Sequence, residues 1–285
     1  MSRRWEAKGR IIVGDDVPKV MGIVNVTPDS FSDGGQWASA DAAIAHGLKL
    51  VEEGADILDV GGESTRPGAA IVPVDEELRR VIPVVEALAR RTDAPISIDT
   101  TKPEVARRAI DAGASIINDV SALREPGMVE IAAATGAGVV LMHMLGTPQT
   151  MQDNPVYNDV VAEVRAYLAE RLAWCEARGV PRSRIAVDPG IGFGKTHEHN
   201  LSLLRNLDQF ATLGCVLLIG VSRKGTLKKI TGRSMDRRMP SSVVCSLAAC
   251  AMGAAVARVH DVGPMVDAIK VWNAVRGWER YDVQG

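Results

Sequence analysis

The sequence predicts a single (β/α)8 TIM barrel, and three observations support this fold class. The chain has 285 residues, which suits one such barrel, since about 250 residues are typical. Hydrophobic residues make up 46% of the chain and aromatic residues only 4%, so aliphatic side chains must fill the core, as in a buried parallel sheet. A short apolar run followed by an amphipathic helical pattern recurs eight times.

Residues 1–19 precede the first repeat and are predicted to form a short N-terminal flap that closes one end of the fold. They contain a strand candidate at Arg10–Val13 and the turn Gly14-Asp15-Asp16. The first ten residues, MSRRWEAKGR, lack the apolar core of a signal peptide. Residues 20–285 are then predicted to form the barrel domain.

The eight strands are predicted where short apolar runs end at a polar residue or glycine. They are placed at 20–24, 56–60, 95–98, 115–117, 138–142, 184–187, 215–219 and 255–259. Helices are predicted at 40–53, 75–91, 103–112, 158–178 and 264–276, among others. The connections 26–39 and 61–74 are long and rich in Gly, Pro and Ser, which is typical of active-site loops, whereas 145–157 is interpreted as a surface excursion.

Polar side chains follow the predicted strands. In a barrel of this kind the carboxyl ends of the strands converge on one face, where the chemistry takes place. The polar residues at these ends are Asn25, Glu63, Ser64, Thr65, Arg66, Asp99, Asn118, His143, Asp188, Ser222, Arg223, Lys224, Arg258 and His260.

One group of these residues suits a nitrogen-rich ring. Asp99, Asn118 and Asp188 provide two carboxylates and an amide, which accept paired N–H groups from a heterocycle such as an aminopyrimidinone. Asp99 or Asn118 taken alone could equally be a helix cap. Lys224 could hold a ring nitrogen or carbonyl, or act as a base if burial lowered its pKa.

A second group suits an anion and an aromatic ring. Arg66, Arg258 and His260 match phosphate, and the oxygen of Asn25 could share a magnesium ion with a phosphate. A single Arg or His here would more often be a surface ion-pair partner. Three apolar residues in polar loops could anchor those loops or enclose an aromatic ring: Phe31, Pro67 and Phe193.

Several familiar motifs are excluded. The stretch 185–195, IAVDPGIGFGK, has Pro189 where a P-loop needs glycine, and its glycine spacing is not that of a dinucleotide fingerprint. No G-x-S-x-G elbow surrounds Ser222, which argues against a serine hydrolase. His197 and His199 are interpreted as a solvated helix start rather than a zinc site.

The net charge and the cysteines limit which partners and which cellular compartment can be predicted. The formal charge of −2 and the scattered basic residues predict no nucleic-acid or membrane partner, although a local basic pocket could serve a small anion. The four cysteines form no CxxC pair and are predicted to be buried free thiols, which suits a cytoplasmic protein. The small, apolar segment 241–257 is predicted to be a buried or subunit-facing helix.

Seven strings of residues together resemble the dihydropteroate synthase family, in order and spacing, from the first strand to the last. They are MGIVNVTPDSFSDGG at 21–35, GGESTRPGA at 61–69, SIDT at 97–100, IINDV at 116–120, DPGIGFGK at 188–195, GVSRKG at 220–225 and RVHD at 258–261. The resemblance implies the joining of p-aminobenzoate to 6-hydroxymethyl-7,8-dihydropterin pyrophosphate, which gives 7,8-dihydropteroate and pyrophosphate for folate synthesis. It also implies a homodimer that sulfonamides target.

The resemblance assigns site residues by position. The expected pterin ligands are Asp99, Asn118, Met142, Asp188 and Lys224. Those expected for pyrophosphate are Asn25, Thr65, Arg66, Arg258 and His260, with Mg2+ at Asn25. Those expected around p-aminobenzoate are Phe31, Thr65, Pro67, Phe193, Lys224 and Gly225. The expected catalytic residues are Asp99, Lys224 and Asp33, with Asp99 stabilising a cation left by SN1-like loss of pyrophosphate.

One position departs from the family pattern. Many relatives have Ser where this chain has Gly225, so the contact to the p-aminobenzoate carboxylate is left to a backbone N–H. Two rival functions remain open: a pterin-binding methyltransferase, and a non-catalytic barrel that binds a pterin or regulates a partner. The set of pyrophosphate residues and the Ser222-Arg223-Lys224 motif argue against the first, and intact Asn25, Asp99 and Lys224 argue against the second.

Overall fold

The structure is a computed structural model that describes residues 4–15, 17–26 and 35–276. Within these ranges eight parallel strands close into a barrel, in which each strand pairs with the next along the chain and the last pairs with the first. The strands are β3 (Lys19–Asn25), β4 (Ile57–Gly61), β5 (Ile96–Asp99), β6 (Ile116–Asp119), β7 (Gly138–Met142), β8 (Ile185–Asp188), β9 (Val216–Ile219) and β10 (Val256–Val259), and β1 and β2 belong to the hairpin described below.

Helices surround the barrel. They are α1 (Gly35–Glu52), α2 (Val74–Ala89), α3 (Pro103–Asp111), α4 (Met128–Thr135), α5 (Val160–Glu176), α6 (His197–Arg205), α7 (Asp208–Ala211), α8 (Gly225–Thr231), α9 (Met239–Ala251) and α10 (Val262–Arg276). In the described part of the chain, single 3-10 turns occur at Arg182–Arg184 and Met235–Arg237. No helix in the described ranges has the length and apolar character needed to cross a membrane.

The predicted barrel is confirmed, and every strand boundary lies within two residues of its predicted position. The observed strands mostly end later than predicted, because the polar residues at their ends still belong to the ladder. Asp99 pairs with Asn118, and Met142 pairs with Asp188. The strands therefore deliver these side chains to the mouth of the barrel in a fixed register.

The other end of the barrel is covered by an antiparallel hairpin of β1 (Trp5–Ala7) and β2 (Arg10–Val13). Its turn residues Lys8 and Gly9 have positive φ of 49° and 77°, which suits a two-residue hairpin turn of the primed class. Trp5 is fully buried, and its indole N–H donates to the carbonyl of Arg184 (3.0 Å). The sequence analysis found only the second of these strands. The division into a flap at 1–19 and a barrel domain at 20–285 stays a prediction.

The hairpin packs on the lower layer of the barrel interior. Trp5, Ala7, Ile12 and Val13 form one apolar cluster with inward side chains of the barrel strands, including Met21. One layer higher the inward residues become polar, because the two-residue period of β4 carries Ile57 in the apolar layer and then Asp59. The barrel is therefore closed and apolar at its amino end and polar at its carboxyl end.

Candidate active site

Arg258 lies in the barrel mouth, held by two carboxylates. Its Nε donates to Oδ2 of Asp59 (2.6 Å), and its Nη2 donates to Oδ2 of Asp99 (2.7 Å). The same oxygen of Asp59 accepts from Nδ2 of Asn118 (3.0 Å). Side chains from β4, β5, β6 and β10 thus meet in one hydrogen-bonded cluster.

Asp99 is an acid whose protonation is finely balanced. Its side chain is only 10% exposed. Burial raises the pKa of Asp99 to about 7, since the loss of hydration outweighs the attraction of Arg258, and Asp59 adds repulsion. A ligand that presents N–H groups here would favour the carboxylate, and a developing positive charge would favour it further.

Asp188 and Lys224 face this cluster from the other side of the barrel. Asp188 ends β8, and its Oδ1 accepts from the backbone N–H of Gly190 (2.7 Å). Burial raises the pKa of Asp188, against the attraction of Lys224. Burial lowers the pKa of Lys224 to about 8, against the attraction of Asp188. The pair offers an acceptor and a donor to one ligand.

The loop after β8, residues 189–195, is fixed by hydrogen bonds to five successive carbonyl oxygens. The donors are the N–H of Phe193 to Gly190, Nζ of Lys224 to Ile191, Nε2 of Gln152 to Gly192, Nζ of Lys195 to Phe193, and the hydroxyl of Tyr157 to Gly194. Gly190 has a φ of 70°, and a Cβ there would lie 1.9 Å from the carbonyl oxygen of His143. This glycine serves a tight turn, in agreement with the exclusion of a cofactor motif.

Phe193 forms an apolar wall beside Lys224. Its ring centroid lies 4.6 Å from Nζ of Lys224, a cation–π distance. The ring is half-buried and packs against a small cluster that contains Met142, Met144 and Met151. The segment 145–157, interpreted from sequence as a surface excursion, instead folds over this loop through Met151, Gln152 and Tyr157.

A strained turn orients Lys224. The preceding residue, Arg223, has a φ of 59°, a left-handed conformation that costs free energy for a residue with a side chain. Its backbone N–H donates to Oγ of Ser242 (2.9 Å), its carbonyl accepts from Arg238 (2.9 Å), and its guanidinium pairs with both oxygens of Asp261 (3.2 and 2.5 Å). These bonds hold the turn and thereby the direction in which Lys224 points.

His260 is fixed by Ser222. The hydroxyl oxygen of Ser222 lies 3.0 Å from Nδ1 of His260 and accepts from the backbone N–H of His260 (3.2 Å). The ring is thereby fixed by Ser222 in either tautomer, and the tautomer in which the hydroxyl donates to Nδ1 presents the N–H of Nε2 to a ligand. Burial lowers the pKa of His260 to about 3, helped by the charges of Arg223 and Arg258. A pKa this low favours the neutral imidazole of His260 at neutral pH.

The loop after β4, residues 62–73, is tied at both ends. The carbonyl of Gly62 accepts from Arg80 (2.9 Å), and the N–H of Val72 donates to Glu63 (2.8 Å). The other carboxylate oxygen of Glu63 binds Lys102 (2.6 Å), which also binds the fully buried Glu77 (2.5 Å).

Between these ties, Thr65 is half-buried while Arg66 and Pro67 are exposed. The charge of Arg66 contributes to the lowered pKa of His260, after burial and the charges of Arg223 and Arg258.

The remaining predicted residues divide into two groups. Asn25 ends β3 beside Gly61, Met142 is buried at the end of β7, and Gly225 is the first residue of α8. Phe31 and Asp33 lie outside the described residues, as does most of the predicted loop 26–39. In the described residues no cluster of three or more His, Cys, Asp and Glu side chains could hold a metal ion.

Two residues of the site were missed by the sequence analysis. Asp59 lies in the middle of a strand, and only its position two residues before Gly61 on the inward face of β4 could have revealed it. Lys195 was included in the rejected P-loop comparison and in the family string DPGIGFGK, but it was given no role; a lysine in an otherwise apolar, glycine-rich turn could have indicated a buried contact. His143, expected at the mouth, instead contacts Lys195 (2.9 Å) behind the loop.

Comparisons with known proteins agree with this geometry. Residues 21–260 match the family model described as "Pterin binding enzyme". A dihydropteroate synthase of Escherichia coli (strain K12) is 51% identical over 257 residues, which cover 90% of this chain and 91% of that protein.

Solved structures are also similar. That of Xanthomonas albilineans dihydropteroate synthase with 4-aminobenzoic acid has a TM-score of 0.91 and 53% identity and covers 97% of this chain and 99% of that one. The same enzyme with 7,8-dihydropteroate has a TM-score of 0.87 and 50% identity, covering 96% and 98%. Yersinia pestis dihydropteroate synthase with a sulfonamide drug has a TM-score of 0.91 and 43% identity, covering 96% and 99%.

Proposed function

Because this chain belongs to the dihydropteroate synthases of the pterin-binding enzyme family, we propose a role for each side chain at the barrel mouth in the reaction of that family. The chain condenses 6-hydroxymethyl-7,8-dihydropterin pyrophosphate with p-aminobenzoate to give 7,8-dihydropteroate and pyrophosphate, a step of folate biosynthesis. One observation supports this assignment of roles. Two acids lie on opposite sides of the barrel mouth, Asp99 beside Arg258 and Asp188 beside Lys224.

The pterin occupies the bottom of the mouth. Its amino and ring N–H groups donate to Asp99 and Asp188, because carboxylates accept paired N–H bonds. Asn118 supports the ring edge from β6, and Lys224 donates to a ring nitrogen or carbonyl. Met142, buried at the end of β7, packs against one ring face.

The pyrophosphate lies nearer the rim, where cations and neutral donors meet. Arg66 and Arg258 provide charge, and His260 provides a neutral N–H. Thr65 provides a hydroxyl from the loop 62–73. Asn25, at the end of β3, provides an amide oxygen.

The oxygen ligands at the rim fit a magnesium ion that the substrate phosphates and water would hold for the most part. Mg2+ prefers oxygen ligands and keeps several waters when phosphates supply the rest. A single amide oxygen from Asn25 suits that arrangement better than a cage of protein carboxylates. When bound, the ion neutralises charge on the leaving pyrophosphate.

The bond between the pterin methylene carbon and the pyrophosphate oxygen breaks first, and both bonding electrons leave with pyrophosphate. The resulting cation is delocalised into the pterin ring and stabilised by the carboxylate of Asp99. The aniline nitrogen of p-aminobenzoate then attacks the methylene carbon and afterwards loses one proton. We assign acceptance of that proton, or ordering of the first loop, to Asp33.

p-Aminobenzoate lies against Phe193 and the stem of Lys224, which already contact each other at 4.6 Å. Thr65 and Pro67 from the loop 62–73, and Phe31 from the loop 26–39, complete the pocket and exclude water that would compete for the cation. The N–H of Gly225, the first residue of α8, faces the carboxylate. A sulfonamide, as an analogue of p-aminobenzoate, would occupy the same pocket.

A second copy of the chain covers an apolar face of α9 and α10. Val244, Val271 and Val275 are 68%, 65% and 74% exposed, which is unusual for aliphatic side chains. They line a groove of about 390 Å³ together with Val243, Leu247, Ala268, Trp272 and one charged residue, Asp267. Pairing of two such faces about a twofold axis gives a homodimer.

The chain works in the cytoplasm on this proposal. The four cysteines are free thiols, two of them buried, which is the usual state in a reducing compartment.

The decisive experiment measures pyrophosphate release and dihydropteroate formation with Mg2+, with and without p-aminobenzoate. Asp99→Asn should lower kcat by about a hundredfold or more, whereas Asp111→Asn, which changes an exposed acid of α3, should have no effect. Binding of the pterin by wild-type protein without formation of dihydropteroate would favour methyl transfer or a non-catalytic pterin-binding barrel instead.

A further inference from the structure

Lys195 is a buried lysine behind the loop that carries Phe193. Only 3% of it is exposed. Its Nζ lies 2.9 Å from Nδ1 of His143, 3.3 Å from the carbonyl oxygen of His143, and 2.9 Å from the carbonyl oxygen of Phe193. Three polar atoms of the protein therefore lie within hydrogen-bond distance of this amine, and burial lowers the pKa of Lys195 well below its usual value.

The three contacts join two parts of the site. His143 follows β7, and its backbone N–H donates to the carbonyl of Asp188 (3.0 Å). Phe193 lies in the next loop, with its ring on Lys224. Lys195 therefore connects the main chain of Phe193 to His143, the residue after β7.

We propose that Lys195 is a positioning residue for p-aminobenzoate, which it serves by holding the Phe193 carbonyl so that the Phe193 ring stays on Lys224. This inference rests on the proposed function. Lys195 acts on the protein main chain rather than on the substrate, because it is buried and its Nζ contacts three protein atoms. An apolar residue at this position would leave the Phe193 carbonyl without its donor, and the ring would lose its fixed place.

Two other contributions of Lys195 make different predictions. Its charge could act on Asp188, in which case its removal would weaken the pterin rather than p-aminobenzoate. It could also stabilise the loop in general, in which case loss of the Tyr157 hydroxyl bond to the neighbouring carbonyl of Gly194 (2.9 Å) would have a similar effect. Steady-state kinetics with both substrates separates these cases.

The test is a double-mutant cycle of Lys195→Met and Phe193→Ala, with Lys195→Gln and Tyr157→Phe alongside. Lys195→Met should raise KM for p-aminobenzoate about tenfold, while kcat and KM for the pterin pyrophosphate stay within about twofold. In the Phe193→Ala background the same change should alter KM for p-aminobenzoate by less than about twofold, because the ring it positions is gone. Lys195→Gln keeps a hydrogen-bond donor, so its KM for p-aminobenzoate should lie between those of Lys195→Met and wild type. The KM of Tyr157→Phe should equal that of wild type.

The inference would be overturned if Lys195→Met raised KM for p-aminobenzoate equally in the wild-type and Phe193→Ala backgrounds. It would also be overturned if only KM for the pterin pyrophosphate rose. A crystal structure of Lys195→Met, or of Lys195→Gln if the first variant does not fold, provides a readout that is independent of turnover. The Phe193 ring should be displaced from its 4.6 Å contact with Lys224. An unmoved ring contradicts the inference, whereas inactive wild-type protein contradicts only the proposed function.

Discussion

Nε of Arg258 lies 2.6 Å from Oδ2 of Asp59, a carboxylate with no exposed surface in the middle of β4. The same oxygen accepts from Asn118, whereas the other oxygen of Asp59, Oδ1, is buried and has no hydrogen-bond partner among the described residues. Asp59 therefore fixes both a proposed pyrophosphate ligand and a proposed pterin ligand.

Asp59→Asn should destabilise the fold and impair turnover together. It leaves the half-buried Arg258 with one carboxylate partner fewer, which should lower the free energy of unfolding by about 2 kcal/mol in urea denaturation. We expect kcat/KM for the pterin pyrophosphate to fall at least tenfold, because loss of one hydrogen bond to a charged group corresponds to about a tenfold change or more. Asp111→Asn is the matched control, and equal stability of the two variants would contradict the role of Asp59.

The pH profile should follow two groups of the free enzyme. The pKa of Asp99 is raised to about 7, so kcat/KM for the pterin pyrophosphate should rise as pH increases through about 7 and the carboxylate forms. The pKa of Lys224 is lowered to about 8, so kcat/KM should fall again as pH rises through about 8 and the ammonium is lost. Asp99→Asn should abolish the acidic limb and keep the alkaline limb. A profile of Asp99→Asn that retains both limbs would refute the assignment.

Gly225→Ser should tighten p-aminobenzoate binding. A Cβ at Gly225 would meet no atom within 4 Å, so the added hydroxyl has room at the start of α8. A hydrogen bond from this hydroxyl to the substrate carboxylate should lower KM for p-aminobenzoate by about tenfold. Gly225→Ala adds the Cβ without the hydroxyl and should leave KM unchanged. Inhibition by a sulfonamide, measured on the same three proteins, shows whether the drug uses the same contact.

The apolar face of α9 and α10 should decide the oligomeric state. Val271→Asp places a charge in its centre and should convert the protein from a dimer to a monomer in sedimentation velocity. Ile230→Asp changes another exposed aliphatic residue, 57% accessible on α8 and outside this face, and should leave the dimer intact. A wild-type protein that sediments as a monomer would exclude the dimer.

The sequence predicted the barrel because each of its eight units repeats the same local pattern. Apolar runs buried on both faces are easy to locate, and the polar residue after each run sets the end of the strand within two positions. The first strand of the N-terminal hairpin was missed because Trp5-Glu6-Ala7 is too short to show alternation. Its place is set by contacts with β7 and β8 that lie more than a hundred residues away.

The sequence identified individual residues of the site, but not the hydrogen bonds and ion pairs between them. Asp99, Asn118, Asp188 and Lys224 were found from their places after strands. Their partners depend on which inward side chains meet across the barrel, and a sequence does not give those distances. Asp59 and Lys195 are the clearest examples, because each is identified by a contact to a residue on another strand or loop.

The hairpin that carries Trp5 covers the amino end of a barrel that inward apolar side chains already fill, so ligands can reach the barrel residues only from the carboxyl end. Whatever binds at Asp99 and Asn118 must pass the rim first, and whatever is formed there must return past the same rim. On the proposed function, p-aminobenzoate beside Phe193 and Lys224 would cover the pterin, so the pterin is expected to bind before p-aminobenzoate. The fold would in this way set the order of binding. The pterin ring would enter first and leave last, as part of the product.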